Sequence, residues 1–141
     1  MMVTWDFGDK AIAFEGRSCQ PRALDGSQAG VAFHGEKGTM VIDSNGYTIF
    51  DLKDKQVAKV SDRAGDAPHF QDFVDCVRDG GKLHAEIAEG YKSALLCHLG
   101  NIAWRTGNTL DFDPLHREIV GHGEQKDLWG REYREGWEPK V

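Results

Sequence analysis

Along the first sixty residues apolar and polar side chains alternate with a period of two, the signature of half-buried strands. Val3, Trp5 and Phe7 alternate with Thr4 and Asp6, and after Gly8-Asp9 come Ile12 and Phe14, which predicts a first hairpin. Residues Cys19 to Ala29, with Pro21, Gly26 and Ser27, break the alternation and read as a loop. From Gly30 a meander follows: Val31–His34, Thr39–Asp43, Tyr47–Leu52 and Gln56–Val60, separated by Gly35-Glu36-Lys37-Gly38, Ser44-Asn45-Gly46 and Lys53-Asp54. Asn45-Gly46 supplies the positive φ angles of a tight hairpin turn. Met40, Ile42, Tyr47 and Ile49 give the meander one buried face. Ala32, Val41, Phe50 and Ala58 are assigned to the opposite face, which is then apolar enough to need a cover of its own. An antiparallel sheet can leave one face wet, so two apolar faces imply helices on one side and a partner subunit on the other.

The period changes at Asp66. Asp66 reads as an N-cap, Pro68 suits a first turn, and Phe70, Phe73, Val74 and Val77 follow helical spacing until Gly80-Gly81. A second helix starts near Glu86, carries Ile87, Tyr91, Leu95, His98 and Ile102 on one stripe, and stops at Gly107-Asn108. His98 is expected as a hydrogen-bonded core residue, and Gly90 and Gly100 as points of close packing. Thr109–Phe112 reads as a short strand ended by Asp113-Pro114. In the tail, Gly123 to Trp137, the aromatics Trp129, Tyr133 and Trp137 recur every four residues and are expected on one helical face.

Strands followed by helices, without repeats, predict an α+β domain: a largely antiparallel open β-sheet with helices packed on one face. The whole chain, 1–141, is assigned to one such domain, with strands and hairpins over 1–62, two helices over 66–107, and a short strand with a C-terminal helix or tail over 108–141. A net charge of −6, with no cluster of Lys and Arg, disfavours nucleic acid as a partner. No run is apolar enough for a membrane span and the N-terminus lacks signal-peptide character, so a cytoplasmic location is expected. Cys19, Cys76 and Cys97 lie far apart and read as reduced thiols, the latter two buried in helices and inert.

Catalytic motifs are not evident. The histidines at 34, 69, 84, 98, 116 and 122 are scattered without metal-ligand spacing, so no metal site is assigned. No serine sits in a G-x-S-x-G elbow. The pairs Asp72 with Asp75 and Asp111 with Asp113 read as solvated charges. Gly35-Glu36-Lys37-Gly38 joins strand to strand, whereas a phosphate loop leads into a helix, and no G-x-G-x-x-G opens a helix anywhere.

The stretches His69-Phe70-Gln71-Asp72-Phe73-Val74-Asp75-Cys76-Val77-Arg78 and Leu99-Gly100-Asn101-Ile102-Ala103-Trp104-Arg105-Thr106-Gly107, with Gly30–Met40, Asp113-Pro114 and the ending Glu132–Trp137, resemble the C-terminal domain of the glucose-fructose oxidoreductase / inositol dehydrogenase (Gfo/Idh/MocA) family. The resemblance implies an NAD(P)-dependent oxidoreductase of sugars, polyols or their derivatives, with an N-terminal Rossmann domain that holds NAD or NADP. It also implies an open sheet with helices on one face and the subunit interface on the other. The cofactor fingerprint and the family's E-K-P motif are not matched, because Glu36-Lys37-Gly38 carries glycine in place of proline and lies in a hairpin. No catalytic or cofactor-binding residue is therefore carried over. His69, Asn101 and Arg105 are the candidates for shaping a substrate pocket, and Ala32, Val41, Phe50 and Ala58 for a homo-oligomer interface. The expectation is a substrate-binding and oligomerisation domain without its cofactor domain, inactive alone. The alternative is a stand-alone dimerisation or carbohydrate- or protein-binding module of the same fold.

Overall fold

Antiparallel hairpins account for the strands, as the alternation requires. A computed structural model describes residues 1–19, 26–62, 65–121 and 123–139. Pro21 of the expected loop and His122 of the histidine set lie outside the described residues. The chain divides into two compact units, one of Met1–Gly16 with Ala85–Val141, the other of Arg17–His84.

In the first unit, β1 (Met2–Asp6) pairs with β2 (Ala11–Glu15), Trp5 opposite Ile12, and Gly8 in the turn has φ 85°. Four strands of the second unit, β3 (Gly30–Gly35), β4 (Gly38–Asp43), β5 (Gly46–Phe50) and β6 (Gln56–Ser61), form an antiparallel meander in sequence order. The Asn45-Gly46 turn is built differently from the expected pattern. Asp43 pairs with Gly46, so Ser44 and Asn45 form the loop; Asp43 Oδ1 accepts the Asn45 N–H at 2.7 Å, and only Gly46 of the two has positive φ, 128°. Glycine is required there because a Cβ would lie 2.1 Å from the Val60 carbonyl oxygen on the neighbouring strand.

Helix α1 (Asp66–Asp79) begins one residue earlier than expected: Gly65 is the N-cap, and Asp66 lies in the first turn, where its charge still faces the positive helix end. It ends at Gly80, φ 73°. Among the described residues α1 buries none, so Phe70, Phe73, Val74 and Val77 form an exposed apolar row.

Helix α2 (Ile87–Thr106) belongs to the first unit and spans about 30 Å at 1.5 Å per residue. It stops at Gly107 in the left-handed conformation. Gly100 is a point of close packing, since a Cβ there would lie 2.7 Å from the Trp5 ring, but nothing approaches the Cβ position of Gly90 within 4 Å. The core consists of Leu99, Ile102 and Ile119, with Leu95, Leu110, Phe112 and Trp129 packed around it. His98 and Cys97 are exposed rather than in the core, because the buried side of α2 is the Leu95–Leu99–Ile102 row and both point away from it.

After α2 the strand expected over Thr109–Phe112 overlaps the observed one only at Phe112: β7 (Phe112–Asp113) runs on through Asp113 and pairs with β8 (Glu118–Ile119), Phe112 opposite Ile119. The tail corrects the expected helical row of aromatics: the only helix after β8 among the described residues is α3 (Glu124–Asp127), and Trp129, Tyr133 and Trp137 all follow it. Trp129 packs on the core with its ring 5.6 Å from that of Phe112, whereas Trp137 is 73% exposed. The recurrence every four residues has no helix behind it because Gly130 and Gly136 interrupt the segment and Gly136 has φ 81°.

Candidate functional site

Residues directly paired across a sheet share a face, so the register sorts the meander's side chains. Val31, Ile42, Tyr47 and Val60 form one cross-strand row, and Phe33, Met40, Ile49 and Ala58 the next. This face is apolar throughout. The other face holds Ala32, Val41, Thr48 and Lys59 in one row, with His34, Thr39 and Phe50 beyond it. There, His34 Nδ1 and Thr39 Oγ1 are hydrogen-bonded at 3.1 Å.

Three of the four predicted interface residues, Ala32, Val41 and Phe50, therefore lie on one face. Ala58 does not. It pairs with Ile49 on the wholly apolar face, because it stands two residues from Val60 in the same strand and so on Val60's side of the sheet; the pairing shift between Ile49 and Phe50 comes only after it. Neither face contains a buried residue among the described ones, and Val31, Phe33 and Val60 of the apolar face are exposed. An open concavity of about 510 Å³ lies against the meander and is lined by Val41, Thr48, Phe50, Gln56, Lys59 and Ser61 among others. A second, of about 500 Å³, sits at the Glu36-Lys37 hairpin.

His69 is exposed on α1, its ring 5.8 Å from that of Phe70. Asn101 and Arg105 are exposed and four residues apart on α2, so the helix brings them to one side. They belong to the first unit and His69 to the second.

Two Asp–His pairs were not foreseen and correct the reading of their carboxylates as simple solvated charges. Asp72 accepts the His84 backbone N–H at 3.0 Å and contacts its ring Nδ1 at 2.5 Å. Asp113 accepts the backbone N–H groups of Leu115 and His116 at 2.8 and 3.1 Å and contacts the His116 ring Nδ1 at 2.6 Å. In both, the histidine ring first and its backbone N–H second hold the carboxyl below the usual carboxylate range. The second pair had a local signal, since Asp-Pro-Leu-His is a turn sequence whose carboxylate can reach the next N–H groups. The first spans twelve residues and had none.

Among the described residues no group of three or more His, Cys, Asp and Glu side chains could hold a metal ion. A dinucleotide's phosphates need a glycine-rich turn leading from a strand into a helix. Here Gly35–Gly38 joins β3 to β4, and α1 and α2 open at Gly65 and Glu86 without such a turn, so the described residues do not fit that cofactor.

The architecture of an antiparallel meander followed by two helices can be set beside known families. A model of the Gfo/Idh/MocA oxidoreductase family, C-terminal alpha/beta domain, matches residues 21–139, more than four fifths of the chain. The chain belongs to this family. No curated protein and no solved structure matches it. The Gfo/Idh/MocA match takes in the whole meander, α1 and α2, and omits the β1–β2 hairpin. The α+β fold with an open antiparallel sheet is that of the family's C-terminal domain. Membership implies NAD(P) as the cofactor of full-length Gfo/Idh/MocA proteins. No helix among the described residues is long and apolar enough to cross a membrane.

Proposed function

We propose that the chain is the substrate-side and assembly domain of a cytoplasmic NAD(P)-dependent oxidoreductase acting on a sugar, a polyol or a derivative of one. A separate dinucleotide domain holds the cofactor, and this domain, inactive alone, contributes part of the substrate pocket and the contact between subunits. Asn101 and Arg105 on α2 and, separately in the other unit, His69 are its candidates for substrate contact.

One observation carries the reading: a four-stranded sheet with no buried residue among the described ones and apolar side chains on both faces. A sheet needs packing on at least one face for independent stability, and exposed apolar patches of this extent mark contact surfaces. The mixed face is the proposed homo-oligomer contact, its Ala32, Val41 and Phe50 supplying apolar area and its Thr48, Lys59 and His34 hydrogen-bonding groups that a second copy can pair.

Light scattering on the full chain at about 100 μM tests the assembly, since a dimer held by ~8 kcal/mol is populated there. Wild type is expected as a dimer or higher oligomer. Val41→Asp and Phe50→Asp are expected to give monomers with an unchanged far-UV spectrum, whereas Ile49→Asp, on the other face, leaves any folded protein oligomeric. A monomeric wild type, or dispersal by Ile49→Asp alone, would overturn the assignment.

A further inference from the structure

Helix α1 closes at Gly80, whose N–H donates to the Cys76 carbonyl at 3.1 Å. Beyond it the chain turns through two glycines of positive φ, Gly80 at 73° and Gly81 at 136°, a pair that can redirect the backbone at little steric cost. It then returns to α1. Asp72, on the second turn, holds His84 twice, through its backbone N–H at 3.0 Å and its ring Nδ1 at 2.5 Å. The Asp72 side chain is only 19% exposed while the His84 side chain is 91% exposed, so the carboxylate rather than burial of the ring fixes the segment. His84 is also the last residue of its compact unit.

We propose that Asp72 and His84 form a latch that holds the Gly80–His84 segment against α1 while Asp72 is ionised, and that a proton on Asp72 releases it about Gly80-Gly81. The switch lies on the carboxylate. Nδ1–H is present in the charged imidazole and in one neutral tautomer, so the ring can donate in either charge state. An ionised carboxylate accepts from both His84 donors, whereas a protonated one loses the charge that strengthens both bonds.

The titratable groups acting on Asp72 are His84 and, one turn earlier on its own helix, His69. Asp75, one turn later, is engaged by Gln71 Nε2 at 2.7 Å. The His84 ring and backbone N–H depress the Asp72 carboxyl below the usual range. The latch is therefore closed at and above ordinary carboxylate values and opens as pH falls through that lowered value.

Heteronuclear NMR of the full chain between pH 6 and 2 tests this. The His84 amide proton shift is expected to titrate with the same midpoint as the Asp72 carboxyl carbon. At neutral pH, Asp72→Asn is expected to lower the exchange protection of the His84 amide about tenfold, the scale of one hydrogen bond to a charged acceptor, with the amides of Val41 and Ile49 unchanged. A His84 shift indifferent to the Asp72 titration overturns the latch, as does wild-type protection in folded Asp72→Asn. If that variant does not fold, the wild-type titration decides.

Discussion

Gly90 and Gly100 lie on the same helix, and the same substitution at each is expected to have opposite effects. Alanine in place of glycine in a helix interior favours the helix by about 0.5–1 kcal/mol. At Gly90 nothing lies within 4 Å of the added Cβ, so Gly90→Ala keeps that gain. At Gly100 the Cβ would stand 2.7 Å from Trp5 Cζ2 and 3.4 Å from Val3 Cγ1. Carbon atoms rest at about 3.5–4.0 Å, so the indole must retreat by roughly 1 Å. The indole N–H is buried without a hydrogen-bond partner among the described residues, so packing rather than a polar contact holds the ring in place. Its displacement falls in the range of overpacking, about 1–3 kcal/mol. Gly100→Ala is then neutral or destabilising by up to about 2 kcal/mol, and the two variants differ by about 1–3 kcal/mol. Thermal unfolding followed at the helical circular-dichroism band should separate their midpoints by about 4–10 °C, with Gly90→Ala the higher. Equal stabilisation by both substitutions would refute the docking of β1 on α2 through Gly100.

The tail and the β7–β8 turn give two further tests. Trp129→Ala, at the edge of the Leu99–Ile102–Ile119 core, should cost about 2–3 kcal/mol in urea unfolding, less than the roughly 3–5 kcal/mol of a fully buried aromatic because Trp129 is only partly buried, and Trp137→Ala, largely exposed, less than about 0.5 kcal/mol; equal losses would restore a shared helical face. Asp113 should titrate below the usual carboxylate range by carbon-detected NMR, and His116→Ala should move it back up because the ring contact is the largest cause of the depression. The turn's stabilisation by this carboxylate is then full above ordinary carboxylate values and lost as pH falls through the lowered one, and an Asp113 midpoint unmoved by His116→Ala would refute the pairing.

The parts of the fold legible in the sequence are those where one local period decides. The alternation along the first hairpin and the meander, and the helical spacing of Phe70–Val77 and Leu95–Ile102, place six strands and two helices close to where they lie, and Gly80 and Gly107 end the helices as glycine does. Errors arose where a pattern had more than one physical cause. Trp129, Tyr133 and Trp137 recur at helical spacing, but Trp129 is spaced by its fit to Phe112, and glycines break the rest. Ala58 is read with Val41 and Phe50, but its alternation with Val60 and its pairing with Ile49 put it on the other face. His98 follows the helical stripe in sequence, yet the core meets α2 slightly to one side of that stripe. Of the site, Asn101 and Arg105 could be placed on one side of a helix from spacing alone. The Asp72–His84 contact could not, since nothing local links residues twelve apart.

The two sheet faces explain why family and fold were easier to read than function. A period of two writes the identity of each face directly into the sequence, and here it writes one wholly apolar face and one mixed face. Nothing in that pattern specifies the chemistry of what covers a face, because burial is non-directional and rewards any apolar partner that fits. The polar groups can discriminate. On the mixed face Thr48, Lys59, Gln56 and the His34–Thr39 pair sit beside Val41 and Phe50, so a partner must satisfy hydrogen bonds as well as bury carbon. Specific assembly is therefore expected to depend on this face, and general stability on the other. Substitutions of Thr48 or Lys59 should change which copies associate, whereas substitutions of Ile49 or Met40 should change whether the sheet folds.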